Sequence, residues 1–354
     1  MGKEFGLDSH VMELPRVIQI GYGVIKEVGS FLSRFSPKRI LIISGPIVWE
    51  KVGSVVEDIL NEEDFTYRCI KVDNSTKREV EDAVRAAKEF NADLMIGLGG
   101  GRAVDVAKLA SYNCGVGFVS LPTSASHDGI ASPLASIKGG DKPYSYMTKP
   151  PTGVLADVNI IAEAPKKLLA AGCGDLIAKI TAVKDWMLAR DEKQEYFGKY
   201  AANLALLSAE IVLSEAKGIG SGSKEYVRDV VEALISAGVA AGIAGSSRPC
   251  SGAEHLFSHA LDIIAPNVGL HGEKCGLGAL LMAKLHNLDW EKLRDALRDV
   301  RAPITAAELG LSADQIAKAL VLAPELRPER YTILHKKRLS YEEAKALAKD
   351  VGII

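Results

Sequence analysis

Apolar residues fall in short unbroken runs through the first 160 positions and in longer helical rhythms after them. Arg16-Val-Ile-Gln-Ile20 alternates, then turns through Gly21-Tyr-Gly-Val-Ile25, like an edge strand feeding a short helix. Arg39-Ile-Leu-Ile-Ile43 has the pattern of a buried strand, and Ser44-Gly-Pro46 breaks it before a helix through about Leu60. Strands are also expected at Thr66–Val72, Asp93–Gly97, Gly115–Ser120 and Gly153–Ile161, with an amphipathic helix at Lys77–Phe90. Residues 138–151 read as a hairpin or flap. Strands alternating with helices imply a parallel sheet covered on both faces, assigned to residues 1–162. From Ala164 onward Gly/Ala-rich helical patterns take over, so residues 163–354 are expected to form an all-helical second domain.

Two strand ends carry candidate chemistry. Asp93–Gly97 runs straight into Gly99-Gly-Gly101, and glycines at a strand-to-helix turn let backbone N–H groups approach a pyrophosphate. The plainer alternative is a tight turn, with Asp105 and Lys108 an exposed ion pair on the following helix. Strand Gly115–Ser120 leads into a loop of small hydroxyl residues that also holds His127 and Asp128, where an open α/β sheet collects ligands.

Three of the seven histidines fall between Gly252 and Gly272. His255 and His259 are four apart on an expected helix and share one face. Pro266 ends that helix, and a Gly-rich turn lets His271 return toward it. Imidazole nitrogens with an Asp or Glu oxygen suit zinc and related ions. Unrelated histidines on a polar helix edge are the alternative. Asp175, after Gly172-Cys-Gly174, is placed at or near a helix start, where an N-cap role competes with a functional one.

Composition narrows the partners. The 354 residues are 47% hydrophobic and 25% charged, with net charge −2, which gives no electrostatic case for nucleic acid. Five cysteines form no CxxC pair and read as reduced thiols of a cytoplasmic protein. No leader pattern is expected, and no apolar run reaches the ~20 residues that membrane insertion needs.

Taken together, Gly99-Gly-Gly101 with Asp105 and Lys108, Pro122-Thr-Ser124 with Asp128, Gly174-Asp175, His255-x3-His259 and His271 resemble the iron-containing alcohol dehydrogenase/glycerol dehydrogenase superfamily. Within it, Ser126-His-Asp-Gly-Ile-Ala-Ser-Pro133, and Lys149-Pro-Pro151 before Leu155-Ala-Asp157, resemble the sn-glycerol-1-phosphate dehydrogenase family. The resemblance implies an α/β Rossmann-like parallel-sheet domain plus an all-α C-terminal domain, with the active site in the interdomain cleft. It implies one zinc ion per chain, NAD(H) or NADP(H), and reduction of dihydroxyacetone phosphate to glycerol 1-phosphate, the backbone precursor of archaeal ether lipids. It makes Asp175, His255 and His271 the metal ligands, although spacing alone would have chosen His259 as the second. It directs Asp128, Asp175 and His259 to the substrate, with His259 and Asp128 catalytic. It lines the dinucleotide with Gly99, Gly100, Gly101, Arg102, Ala103, Val104 and Asp105, then Thr123, Ser124, Ala125, Ser126 and Ser132. Lys138, Lys142 and Lys149 are candidates for the substrate phosphate, and a homo-oligomer is expected. The alternatives are a glycerol or polyol dehydrogenase, a 3-dehydroquinate synthase-like enzyme, and a zinc- or nucleotide-binding protein without turnover.

Overall fold

The computed structural model describes residues 10–139 and 144–354. Strands β1 (Val17–Gly21), β2 (Ile40–Ser44), β3 (Tyr67–Lys71), β4 (Leu94–Gly99), β5 (Gly117–Pro122) and β8 (Gly153–Asp157) form one sheet in the order β1-β8-β5-β4-β2-β3. Every neighbouring pair is parallel. β6 (Leu134–Ile137) and β7 (Tyr144–Met147) make a separate antiparallel pair whose first strand precedes the hairpin expected at residues 138–151, of which 140–143 lie outside the described residues.

Strand β2 shows why the sheet is buried on both sides. Its side chains alternate, so Leu41 and Ile43 pack with residues of helices Lys77–Phe90 and Gly101–Cys114. Ile40 and Ile42 pack on the opposite face with Phe31, Leu32, Val56 and Leu60. Burying an aliphatic side chain this fully stabilises the fold by roughly 1.5–3 kcal/mol. The chain passes from β2 outward to β3, then back across β2 to β4. The resulting crevice at the carboxyl ends of β2 and β4 is where such sheets bind ligands.

Two sequence expectations and one alternative need correction. The strand expected through Ile161 stops at Asp157, whose carboxylate accepts from the Asn159 and Ile160 N–H groups and starts helix Val158–Ala162. The same carboxylate accepts from Gly23 and Ile25, tying the edge strand's exit to the sheet. Asp105 and Lys108 are buried, with exposures of 4% and 1%, because helix Gly101–Cys114 is enclosed between the sheet and the β6–β7 hairpin. Asp175 lies deep inside the 28-residue helix Lys166–Lys193 and caps nothing.

The glycines before Asp175 are there for packing. A Cβ on Gly172 would sit 2.1 Å from the Ala125 carbonyl oxygen, and one on Gly174 would sit 2.3 Å from that of Gly272. A Cβ on Gly272 would in turn lie 1.9 Å from the Ala171 oxygen. Helices Lys166–Lys193 and His271–Leu285 therefore touch backbone to backbone. After Asp157 the described residues are helical or irregular, around one large core that includes Leu176, Leu234, Phe257 and Leu280.

Candidate active site

A cleft of ≈ 1250 Å³ runs from the carboxyl ends of β2 and β4 to the histidine helix, Ala253–Ile264. Gly45 and Pro46 after β2, and Gly100 and Gly101 after β4, line one end. His255, His259 and His271 line the other. His271 is the first residue of its helix, reached through Gly269 at φ +66°, so the expected return is observed.

At the glycine end, a Cβ on Gly100 would meet Ser124 Oγ at 3.1 Å, and one on Gly101 would meet His127 Nε2 at 2.1 Å. A side chain at either position would press on Ser124 or His127, and the two glycines put the N-terminus of helix Gly101–Cys114, with its unpaired N–H groups, at the cleft. Ser124 Oγ is buried without a hydrogen-bond partner. Arg102, Ala103, Asp105, Thr123, Ser126 and Ser132 also line the cavity. Val104 and Ala125 belong to the packed cores, and Gly99, at φ +156°, closes the strand behind them. Arg102 Nη1 donates to the Asp73 carbonyl at 2.9 Å on the rim.

At the histidine end, Asp175, His255, His271 and Cys275 offer ligand atoms all within 4.8 Å of one another. His255 Nε2 stands 3.4 Å from Asp175 Oδ1. Zinc bonds of 2.0–2.2 Å in a tetrahedron give donor–donor edges of about 3.4 Å, so the spacing fits a small divalent metal. His255 Nδ1–H donates to Glu254 Oε1 at 2.8 Å, which turns the Nε2 lone pair toward Asp175. Glu254 is buried and accepts from Gly252 N and Thr181 Oγ1. It is held below its usual pKa: burial would raise it, but the bond and charge of His255 outweigh burial.

Lys179 is one helical turn after Asp175. Its ammonium reaches Asp128 Oδ2 at 2.7 Å and Asp175 Oδ1 at 3.0 Å. Burial would lower its pKa, but the two carboxylates outweigh that and hold it well above the ordinary value. Asp175 is held well below its own, again against burial, by Lys179 first and then by His255 and His271. The Asp128 N–H donates to Asp175 Oδ2 at 2.9 Å, so the serine-rich loop is anchored to the carboxylate of the candidate metal cluster.

His259 stands apart from this set. Its ring centroid is 6.0 Å from that of His271, and its Nδ1 is buried without a partner. Burial first, then the charges of His255, Arg327, Lys274 and Arg330, push its pKa down to about 3. The ring is therefore neutral at physiological pH and presents a free nitrogen.

Sequence reasoning missed Glu254, Lys179 and Cys275. The i, i+4 spacing of Asp175 and Lys179, and of His271 and Cys275, would have exposed two of them had the helices been correctly bounded. Of the lysines considered for phosphate, Lys149 pairs with Glu13 at 3.1 Å, Lys138 lines the cleft, and Lys142 lies outside the described residues.

Residues 19–165 match the family model of iron-containing alcohol dehydrogenases. A glycerol-1-phosphate dehydrogenase [NAD(P)+] of Nitrosopumilus maritimus is 50% identical over 353 residues, covering 98% of each chain. The chain belongs to the glycerol-1-phosphate dehydrogenase family. Another member, from Hyperthermus butylicus, is 48% identical over 98% of this chain and 99% of its own. A solved glycerol dehydrogenase from Schizosaccharomyces pombe superposes with a TM-score of 0.82 at 19% identity, covering 97% of this chain and 90% of the other, which shows a shared fold. The members of the glycerol-1-phosphate dehydrogenase family thus span this chain from end to end, including both ends of the cleft.

Proposed function

We propose that the chain catalyses reversible NAD(P)H-dependent reduction of dihydroxyacetone phosphate to sn-glycerol 1-phosphate, at a zinc centre held by Asp175, His255 and His271. The observation that carries this reading is end-to-end identity of about half with proteins of that name, over a cleft joining a dinucleotide-type turn to a metal-type cluster. The product would supply the glycerophosphate backbone of archaeal ether lipids.

When bound, the metal supplies Lewis-acid polarisation of the C2 carbonyl, and the reduced nicotinamide supplies the hydride. The chain's residues do the rest. Gly100 and Gly101 bring backbone N–H groups to the dinucleotide phosphates. Glu254 fixes the His255 tautomer, and Lys179 keeps Asp175 ionised while bridging it to Asp128. Asp128 orients the substrate hydroxyls from the loop side. His259, a neutral imidazole on the cleft wall, would pass a proton from water to the reacting oxygen, gaining one at one ring nitrogen as it gives the other. Cys275 lies close enough to the ligand set to touch the ion.

Residues 1–162 and 163–354 are taken as the two domains, since the last strand of the sheet and its capping helix end at Ala162. A cytoplasmic homo-oligomer is part of the reading. Among the described residues no helix is long and apolar enough to cross a membrane. Val11, Met12 and Leu14 form an exposed apolar stretch that a second copy would cover.

The test is oxidation of NADH and of NADPH with dihydroxyacetone phosphate beside dihydroxyacetone, with the chirality of the product determined. Turnover of the phosphate ester to the sn-1 product supports the reading. Preference for the unphosphorylated ketone would instead favour a polyol dehydrogenase.

A further inference from the structure

The cleft wall near His259 is cationic. Arg327, Lys274, Ser247 and Ser251 all line the cavity. Behind the two serines lies Arg330, only 8% exposed, donating from Nη2 to Ser247 Oγ at 2.7 Å and from Nη1 to Ser251 Oγ at 3.3 Å. Because both hydroxyl oxygens accept from the guanidinium, their own hydrogens are free to donate into the cleft. The nearby cations Arg248 and Lys274 are committed to Glu195 and Asp262. Among the described residues, no carboxylate pairs with Arg327 or Arg330 within 4.0 Å. Burial, Arg248 and Arg327 push the Arg330 guanidinium down to about 9, the direction expected of a charge lacking an anion. A buried charge is costly unless an opposite one meets it.

We propose that Arg327 and Arg330, with Ser247 and Ser251, form a subsite for the phosphate monoester of the substrate, at the opposite end of the cleft from the dinucleotide turn. This rests on the substrate reading given above. Other cations on the cleft include Arg102, whose Nη1 donates to the Asp73 carbonyl, and Lys138, whose backbone N–H donates to the Ser75 carbonyl, both at the far rim. They belong to the cofactor side. The Arg327 fork fits a tetrahedral dianion better than any neutral hydroxyl group. The subsite would therefore select a phosphorylated ketone over its parent.

Steady-state kinetics of the wild type, Arg327→Gln and Arg330→Lys with dihydroxyacetone phosphate and dihydroxyacetone test this. A charge-assisted hydrogen bond lost from a binding site should raise KM for the phosphate ester roughly 10–100-fold in Arg327→Gln. The kcat/KM ratio of phosphorylated to unphosphorylated substrate should fall by a similar factor, with metal per chain unchanged. Arg330→Lys should retain part of that ratio, because it keeps the charge. Equal losses on both substrates, an unaltered ratio, or a rise only in the dinucleotide KM would overturn the proposal. Calorimetry with inorganic phosphate separates it from the substrate reading. If the wild type fails to reduce the phosphate ester but binds phosphate, and Arg327→Gln does not, the subsite stands without that substrate. No phosphate binding by the wild type would remove the subsite.

Discussion

The Lys179 ammonium lies 2.7 Å from the Asp128 carboxylate, inside the protein, with the lysine side chain wholly buried. That pair joins the serine-rich loop after β5 to the long helix carrying Asp175, so the loop and the candidate metal cluster share one cation. Lys179→Met should leave the buried Asp175 carboxylate, and the partly exposed Asp128 beside it, without their counter-charge. Breaking such a pair costs about 3–5 kcal/mol. Chemical denaturation should show a loss of that order, and a loss under 1 kcal/mol would mean that water or another group compensates.

His259 and His255 should separate by metal content. His255→Ala should lose bound metal, whereas His259→Ala should keep it and lose about 10²–10⁴-fold in rate. Elemental analysis of the two variants purified side by side decides the matter. Equal metal loss would restore the simple helix-face assignment of His255 with His259.

Acid stability should report the buried His259 ring. Its folded pKa of about 3 lies below the ordinary 6.5, so the unfolded chain binds the extra proton between those values. Stability is then full above about pH 6.5 and falls as pH drops through this window, by roughly 1.4 kcal/mol per pH unit. His259→Asn should flatten the slope between pH 6 and pH 4. An unchanged slope would show that His259 is not the group responsible.

Glu254→Gln should weaken metal binding while preserving the fold. It keeps the shape but removes the charge that accepts from His255 Nδ1. Partners of metal-bound histidines are typically worth 10–100-fold in metal affinity. Competition with a chromophoric chelator measures the change, and wild-type affinity would count against this role.

At the other end of the cleft, Gly100→Val should raise the dinucleotide KM sharply, because its side chain would press on Ser124. A folded variant with an unaltered cofactor KM would place the phosphates elsewhere.

The sheet was legible because its signals are local. The run Ile40–Ile43 is apolar on both faces, and Thr76 with Glu79 caps helix Lys77–Phe90 where the polar-to-amphipathic change occurs. The His255/His259/His271 grouping was legible for the same reason, since one helix and one turn separate its members. Asp175 was misplaced because Gly172 and Gly174 look like a turn when read along the chain. Their reason lies across space, in the backbones of Ala125 and Gly272. Arg330 and Glu254 gave no signal, because what distinguishes them is burial beside partners remote in sequence or on another helix.

The backbone-to-backbone seam formed by Ala171, Gly174 and Gly272 has a consequence for how this enzyme could be altered. Asp175 follows one side of the seam and His271 precedes the other, so their relative position is set by main-chain contact with no side chain between to repack. Changes that reshape the wall around Arg327 need not pass through that joint. On the proposed reading, substrate preference and metal geometry could then be rewritten separately, so long as Gly174 and Gly272 stay bare.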